Sequence, residues 1–350
     1  MSATLPAGTS SVRAAHRFDE PALARYLAAH MTGFREPMTV RQFESGQSNP
    51  TFHIHAASGD YVVRKKPPGR LLPSAHMVER EYRVMRALDS SGVPVPPVLH
   101  LCTDEQVIGT PFFVMAYVPG RIFRHPWLPE LAPAERAAIY RAMIDVLARL
   151  HQVDYRAIGL EDFGKPGNYY ARQIARWSEQ YVAAKTEDVP AMDRLIAWLP
   201  AHIPAGDDTS LVHGDYRLEN VIFHPTEPRI VAVVDWELAT LGHPLGDLAY
   251  TCLPYHLEPD LLGVTSGTSE RAGIPDESSQ VETYCRLTGR SGMRGWNFYV
   301  AFSLFRLASI LQGVYARGLQ GNASSEQALR RGAAAKRIAE VGWDVAQRSH

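Results

Sequence analysis

The chain has 350 residues, room for two domains that each bury a core, and its 36 Lys plus Arg against 37 Asp plus Glu leave a formal net charge of −1. That balance excludes a polybasic surface for nucleic acid or membrane, and three distant cysteines (Cys102, Cys252, Cys285) without a C-x-x-C disfavour a disulfide framework or structural zinc site. No apolar run reaches the roughly 18–20 residues of a membrane helix: the longest, Trp296–Phe305, contains Asn297 and Ser303 and is stopped by Arg306, so cytoplasm is the expected compartment.

The first 17 residues hold Ser and Arg but no acid or amphipathic stripe, and 1–18 is expected to be a disordered tail rather than a transit peptide. Asp19-Glu20-Pro21 supplies an N-cap, an early acid and a first-turn proline, so a helix follows with Leu23, Tyr26 and Leu27 on its apolar stripe. Thr39–Phe43 and Thr51–Ala56 read as strands around a polar turn, Glu44–Pro50, whose backbone amides, at Gly46 and Ser48, could face phosphate oxygens. His53 and His55 share a strand face, but with no third ligand nearby they read as packing or surface residues.

Tyr61–Lys65 is the next strand. After a basic Pro-Pro-Gly loop, Ser74 or His76 opens a helix with Val78, Tyr82, Met85 and Leu88 on one side. Val93–Val98 is an extended connector, and Phe112–Val118 is a buried strand ending at Pro119-Gly120. From Pro133 the pattern turns helical, with Ile139, Met143, Leu147 and Leu150 preceding His151, a core or capping histidine. Gly164–Trp198 mixes aromatics (Tyr169, Tyr170, Trp177, Tyr181) with cations (Lys165, Arg172, Arg176, Lys185). It reads either as the roof of an anionic acceptor pocket or as an amphipathic helix with an aromatic core stripe. Tyr255–Gln280 reads as a long mobile lid, and Val281–Leu287, Trp296–Gly318 and Glu326–Trp343 as helices, the middle one central to its lobe.

The chemistry concentrates in Leu211–Tyr250. The apolar pair Leu211-Val212 runs into His213-Gly214-Asp215, Asn220 follows five residues on, and Ile230–Val234 delivers Asp235. Strand ends that carry acids bring a proton acceptor and metal ligands to one mouth. Phosphoryl transfer needs that set: one carboxylate orients the acceptor hydroxyl, while a carboxylate and an amide oxygen hold magnesium on the nucleotide. Magnesium prefers hard oxygen donors, which suits Asn220 and Asp235 and leaves Asp215 as the base. Arg217 could meet the transferring charge. No G-x-G-x-x-G, Walker P-loop, G-x-S-x-G or H-E-x-x-H occurs, which disfavours a Rossmann enzyme, a P-loop NTPase and a hydrolase.

His213–Asn220, HGDYRLEN, resembles the HGDxxxxN catalytic loop of the aminoglycoside phosphotransferase and choline kinase group, and VVDWE resembles the counterpart of DFG in eukaryotic-type kinases. The resemblance implies an α+β, bilobal protein-kinase-like fold. Residues 19–118 would form a small antiparallel-sheet N-lobe ending in a hinge, and 119–350 a mainly helical C-lobe, with ATP in the cleft. It also implies Asp215 as catalytic base, Asn220 and Asp235 as Mg2+ ligands, Asp247 as a buried structural acid and His213 as a brace. The Glu44–Pro50 turn takes the place of the nucleotide-positioning loop. Arg64 stands in the usual lysine position with Glu81 as partner, Lys66 being able to share the role. Met115, Tyr117 and Val118 lie where adenine would meet the hinge backbone.

RKKPPGRLLPSAHMVEREYRV, FGKPGNYYARQIARW and VVDWELATLGHPLGDLAY resemble most closely the kinase domains fused to, or working beside, acyl-CoA dehydrogenases. That resemblance implies a hydroxyacyl-CoA acceptor phosphorylated at the 4-hydroxyl, with an acyl-CoA dehydrogenase as functional partner. The alternatives are an antibiotic kinase using the later acids (Glu258, Asp260, Asp276, Glu277) and a nucleotide-binding pseudokinase or regulator.

Overall fold

The structure is a computed structural model and describes residues 6, 8–44, 49–69, 76–261, 263–264, 271–319 and 334–348. The chain divides into two compact units. The first comprises residues 1–121, 222–225 and 231–239; the second comprises 122–221, 226–230 and 240–350.

The first unit is built on a six-stranded antiparallel sheet in the order β1-β2-β3-β4-β6-β5, from Thr9–Ser10 (β1), Met38–Phe43 (β2), Thr51–Ala56 (β3), Gly59–Lys65 (β4), Val98–Cys102 (β5) and Phe112–Ala116 (β6). Helices α1 (Glu20–His30), α2 (Val78–Leu88) and the short α3 (Glu105–Ile108) accompany it. Asp19 caps α1 as its sequence requires, its carboxylate accepting the Ala22 N–H at 2.8 Å, a contact worth about 1 kcal/mol. Leu23 and Leu27 of α1 are fully buried against Phe52, Ile54, Val63, Phe112 and Val114, the alternate residues of three strands.

Residues 8–18 are not the disordered tail expected from composition. β1 pairs with β2, Arg13 N–H donates to Gln42 Oε1 at 3.0 Å, and Val12 and Phe18 pack on the core. Alternating side chains are too few here to give a period, so only the pairing partner reveals the strand.

The second unit is mainly helical: α4 (Pro133–Gln152), α5 (Tyr169–Ala184), α6 (Pro190–Ala201), α7 (Leu245–Cys252), α8 (Glu277–Thr288), α9 (Trp296–Leu319) and α10 (Ala335–Gln347). Its ribbon pairs β7 (Ser210–Val212) with β10 (Thr240–Gly242); β8 (Val221–Phe223) and β9 (Ile230–Val233), which pair with each other, belong mostly to the first unit.

Helix α9 runs straight through Arg306, which the sequence reading treats as a stop. By length and composition it could cross a membrane, yet 67% of its most apolar stretch is buried within the protein and it serves as the core helix of its unit. The aromatic stripe of α5 resolves the same way, with Tyr169, Tyr170, Trp177 and Tyr181 all buried. The described parts of Tyr255–Gln280 are tied down rather than loose: Tyr255 donates to the Pro275 carbonyl at 2.9 Å and Val264 N–H to the Pro254 carbonyl at 2.7 Å.

Candidate active site

In the first unit, β4 carries Arg64 inward, and the residue is 7% exposed. Its Nε lies 2.9 Å from Glu81 on α2, and its terminal nitrogen 2.5 Å from the Asp235 carboxylate and 3.6 Å from Glu237. Burial works against that charge, but the three carboxylates outweigh it and hold the arginine above its ordinary range. Burial in turn raises Glu81, with Arg64 offsetting part of the effect. An arginine can span two acids at once because its fork presents several donors, which a lysine ammonium cannot match.

Lys66 takes no part; its ammonium donates to Glu79 at 2.7 Å. Asn49, fully buried at the end of the Glu44–Pro50 turn, donates to Glu81 Oε1 at 2.7 Å and pairs with His76 at 3.1 Å. Gly46 and Ser48 lie outside the described residues.

Asp235 follows β9 in the left-handed region, φ 68° and ψ 55°, a conformation that aspartate tolerates better than most residues. Trp236, almost fully buried, fixes the turn by donating to the Val233 carbonyl at 2.9 Å. At the end of β6, Met115 pairs with Val62 on one side and Val98 on the other, and the Tyr117 N–H donates to the Asp60 carbonyl at 3.2 Å. The Tyr117 N–H is therefore committed to Asp60. His53 and His55 both approach the Asp60 carboxylate, at 3.0 and 2.9 Å, as packing and surface residues.

In the second unit, β7 ends at the catalytic-loop sequence. Asp247, in the first turn of α7, accepts the His213 N–H at 2.6 Å and the Gly214 N–H at 2.8 Å, with His151 Nε2 at 3.3 Å. Burial alone would raise this carboxyl, but His151 and the amide donors hold it below the usual carboxylate range. His151 also meets the Tyr284 hydroxyl at 2.7 Å, so both ring nitrogens are used. His213 is fully buried and its Nδ1 accepts the Asp215 N–H at 3.2 Å.

The Asn220 amide nitrogen donates to the Asp215 carbonyl at 2.8 Å and to Asp215 Oδ2 at 2.7 Å. Arg217 Nε lies 3.3 Å from Asp215 Oδ1, and its other arm reaches Glu219 at 2.6 Å. Loop, base and amide thus form one hydrogen-bonded set with Asp215 partly open to solvent.

The donors suit a hard cation. In the second unit Asn220, with its nitrogen turned to Asp215, keeps its carbonyl oxygen available; in the first, Asp235 offers a carboxylate. Among the described residues no three His, Cys, Asp or Glu cluster to hold a metal by protein groups alone. A magnesium ion that takes one or two protein oxygens and completes its shell with phosphates and water needs no such cluster.

These units have the architecture of the kinase-like phosphotransferases, a class that acts on hydroxyl acceptors. Residues 39–299 match the phosphotransferase enzyme family, and the chain belongs to that family. It is 50% identical to mouse acyl-CoA dehydrogenase family member 10 over 97% of its length and 32% of the relative's. A probable acyl-CoA dehydrogenase of Arabidopsis thaliana, IBR3, is 48% identical over 94% of the chain and 43% of that protein. The chain spans less than half the length of these curated relatives.

Among solved structures, a protein of Ralstonia eutropha assigned to the aminoglycoside phosphotransferases is 51% identical, with TM-score 0.85 over 95% of this chain and 99% of that one. A thermostable mutant of the aminoglycoside phosphotransferase APH(4)-Ia, solved in a ternary complex with ADP and hygromycin B, shares the fold at 17% identity, with TM-score 0.62 over 94% of this chain and 100% of that one.

Three contributors escape the sequence reading. Asn49 looks like one more polar turn residue, Glu237 like a helix-start acid, and Arg306 like the end of an apolar run. Arg306 alone leaves a usable signal, a single cation inside a long apolar helix.

Proposed function

We propose that the chain is an ATP- and Mg2+-dependent small-molecule kinase whose acceptor is a hydroxyacyl-CoA or a closely related hydroxyl metabolite. The observation that carries the kinase assignment is the Asp215–Asn220 pair, in which one hydrogen bond both aims the carboxylate and frees the amide oxygen. The Asp215 carboxylate would accept the hydrogen of the acceptor hydroxyl as its oxygen forms a bond to the γ-phosphorus and the bond to the ADP oxygen breaks. Asn220 and Asp235 would hold magnesium, which supplies charge neutralisation on the phosphates when bound. Arg64, anchored by Glu81, contributes a fixed positive charge toward the nucleotide, and Arg217 a mobile one.

The acceptor reading is supported by what is missing for a polycationic drug. Among the described residues of the later loop, Glu258, Asp260, Asp276 and Glu277 each already have a cationic or donor partner. Arg337 binds Asp260 at 2.6 Å and also Glu258, while His256 meets Glu277 at 2.8 Å and Arg271 lies 3.6 Å from Asp276. A cavity of about 700 Å3 in the second unit, lined in part by Glu258, Asp260, Arg271 and Arg337, consequently offers no surplus negative charge. The kinship with proteins named as acyl-CoA dehydrogenases points the same way and makes such a dehydrogenase the candidate functional partner.

The basic segment Gly164–Trp198 supports it less than its composition promises. Arg172 is spent on the backbone carbonyls of Gly167 and Lys165, and Lys185 pairs with Asp188 at 2.9 Å.

The test is mass-spectrometric detection of phosphorylated product with 4- and 3-hydroxyacyl-CoAs, kanamycin and choline, using Asp215→Ala as control. Phosphorylated hydroxyacyl-CoA from wild type and none from the variant is expected. Product from kanamycin alone would replace the acceptor reading with an antibiotic one, and tight ATP binding without any product would favour the regulator.

A further inference from the structure

We infer that Arg306, in the middle of core helix α9, is a positioning residue for Asp215, acting through the Gly214 carbonyl; the inference rests on the reading of Asp215 as catalytic base. Arg306 is 7% exposed and, among the described residues, no carboxylate lies within ion-pair distance of it. A buried guanidinium without a counter-ion is costly, and an apolar side chain of similar length would fill the same space in a core helix without that cost.

What meets the charge is specific to the loop. One terminal nitrogen donates to the Gly214 carbonyl at 2.5 Å. The guanidinium carbon lies over two aromatic faces, 5.6 Å from the Trp177 centroid and 5.2 Å from that of Tyr250. Its Nε makes no hydrogen bond. Most of the available interaction is thus aimed at one peptide oxygen and at the ring faces beside it.

That oxygen belongs to the residue before Asp215. The Gly214 N–H is held by Asp247 and its C=O by Arg306, so the residue is gripped from both sides. Gly214 has φ 83°, where a residue without a Cβ rests easily and can also swing easily. A glycine in that region needs an external restraint to fix the following peptide plane, and that plane sets the direction in which the Asp215 carboxylate leaves the chain. Burial first, and then the nearby Asp215 charge, raises the hydroxyl of Tyr250, whose ring lies under the guanidinium, above the usual phenol range. One buried cation therefore bears on the base through the backbone and through a neighbouring ring.

The experiment compares wild type with Arg306→Met, which keeps chain length and core volume, and with Arg306→Ala. ATP turnover to ADP with water as acceptor is measured, so no acceptor need be known. Arg306→Met should lower kcat about a hundred-fold, the scale expected for a misplaced catalytic group, while the nucleotide KM stays near wild type. Millimolar methylguanidinium should restore part of the rate in Arg306→Ala and none in Asp215→Ala. Hydrogen exchange should quicken in peptides covering 211–221 and not along α5 and α9. Arg306→Met with wild-type kcat and unchanged exchange at 211–221 would overturn the inference. Exchange that quickens throughout α5 and α9 would overturn it too, by making the arginine a general stabiliser. If wild type does not use water as acceptor, the exchange data decide alone: quickened exchange confined to 211–221 supports the hold on Gly214, and unchanged exchange there overturns it.

Discussion

Single side chains in this protein are held in charge states that their surroundings dictate, and His243 shows the cost. It is 6% exposed, its ring stacks on Tyr299 with centroids 5.6 Å apart, and its Nδ1 accepts the Leu245 N–H at 3.3 Å at the start of α7. Burial lowers its pKa to about 4. Above the ordinary histidine value of about 6.5 the ring is neutral folded and unfolded, and its contribution is intact. As pH falls from there toward 4, the unfolded chain takes up the proton and the folded one does not, so stability drops by about 3 kcal/mol across the window. Burial also lowers His16, His53, His76 and His100, which act with the same sign. Urea denaturation at several pH values between 7 and 4 should therefore show a steep loss in wild type and a shallower one in His243→Gln. Equal slopes would mean that the ring titrates normally.

Elements matter here mainly for how closely they approach, and the β7–β10 ribbon is the tightest case. Gly242 pairs with Ser210, and a Cβ on it would stand 2.6 Å from the Tyr169 ring and 2.9 Å from the Val212 side chain. Tyr169 is buried and Val212 leads into the catalytic loop, so neither can yield without moving the loop. Gly242→Ala should destabilise by about 1–3 kcal/mol, as overpacked cores do. A melting temperature several degrees lower, with reduced kcat, is expected; an unchanged melt would show that Tyr169 can shift freely.

The sequence announces most elements but not this contact. The capped start of α1 and the alternation of β3 and β4 are local patterns, readable over a few residues. The closeness of Gly242 to Tyr169 arises between segments 73 positions apart and leaves no local trace. β1 is invisible for the same reason, being only two residues that gain meaning from β2.

Across the whole molecule, the readable part of the site is the part whose members are neighbours in sequence. Asp215 and Asn220 are five apart and bond directly, so their spacing alone carries their relationship. Arg64 and Asp235 are 171 apart, and Asn49 and Glu237 188 apart. Asp235 is legible from its place at the end of an apolar run and Arg64 only through a family motif, while Asn49 and Glu237 are not visible at all, because ordinary turn and helix-start residues look the same. The division into units sharpens the point: Val231–Ala239 returns to the first unit, so Asp235 joins Arg64 and Glu81 there while Asp215 and Asn220 belong to the second.

This assignment separates two functions that a single activity assay would merge. A non-hydrolysable ATP analogue with Mg2+ at about a hundred times its dissociation constant should stabilise the wild type by about 2.7 kcal/mol. The melting temperature should rise by roughly 5 °C. Asp235→Ala should lose the Mg2+-dependent part of that rise, since it removes a metal oxygen and frees Arg64 from its partner. Asp215→Ala should keep the rise nearly whole while transfer is abolished, since the base is needed for the acceptor and not for the nucleotide. A full Mg2+-dependent rise in Asp235→Ala would take the metal from Asp235. Loss of the rise in Asp215→Ala would mean that the base also supports nucleotide binding.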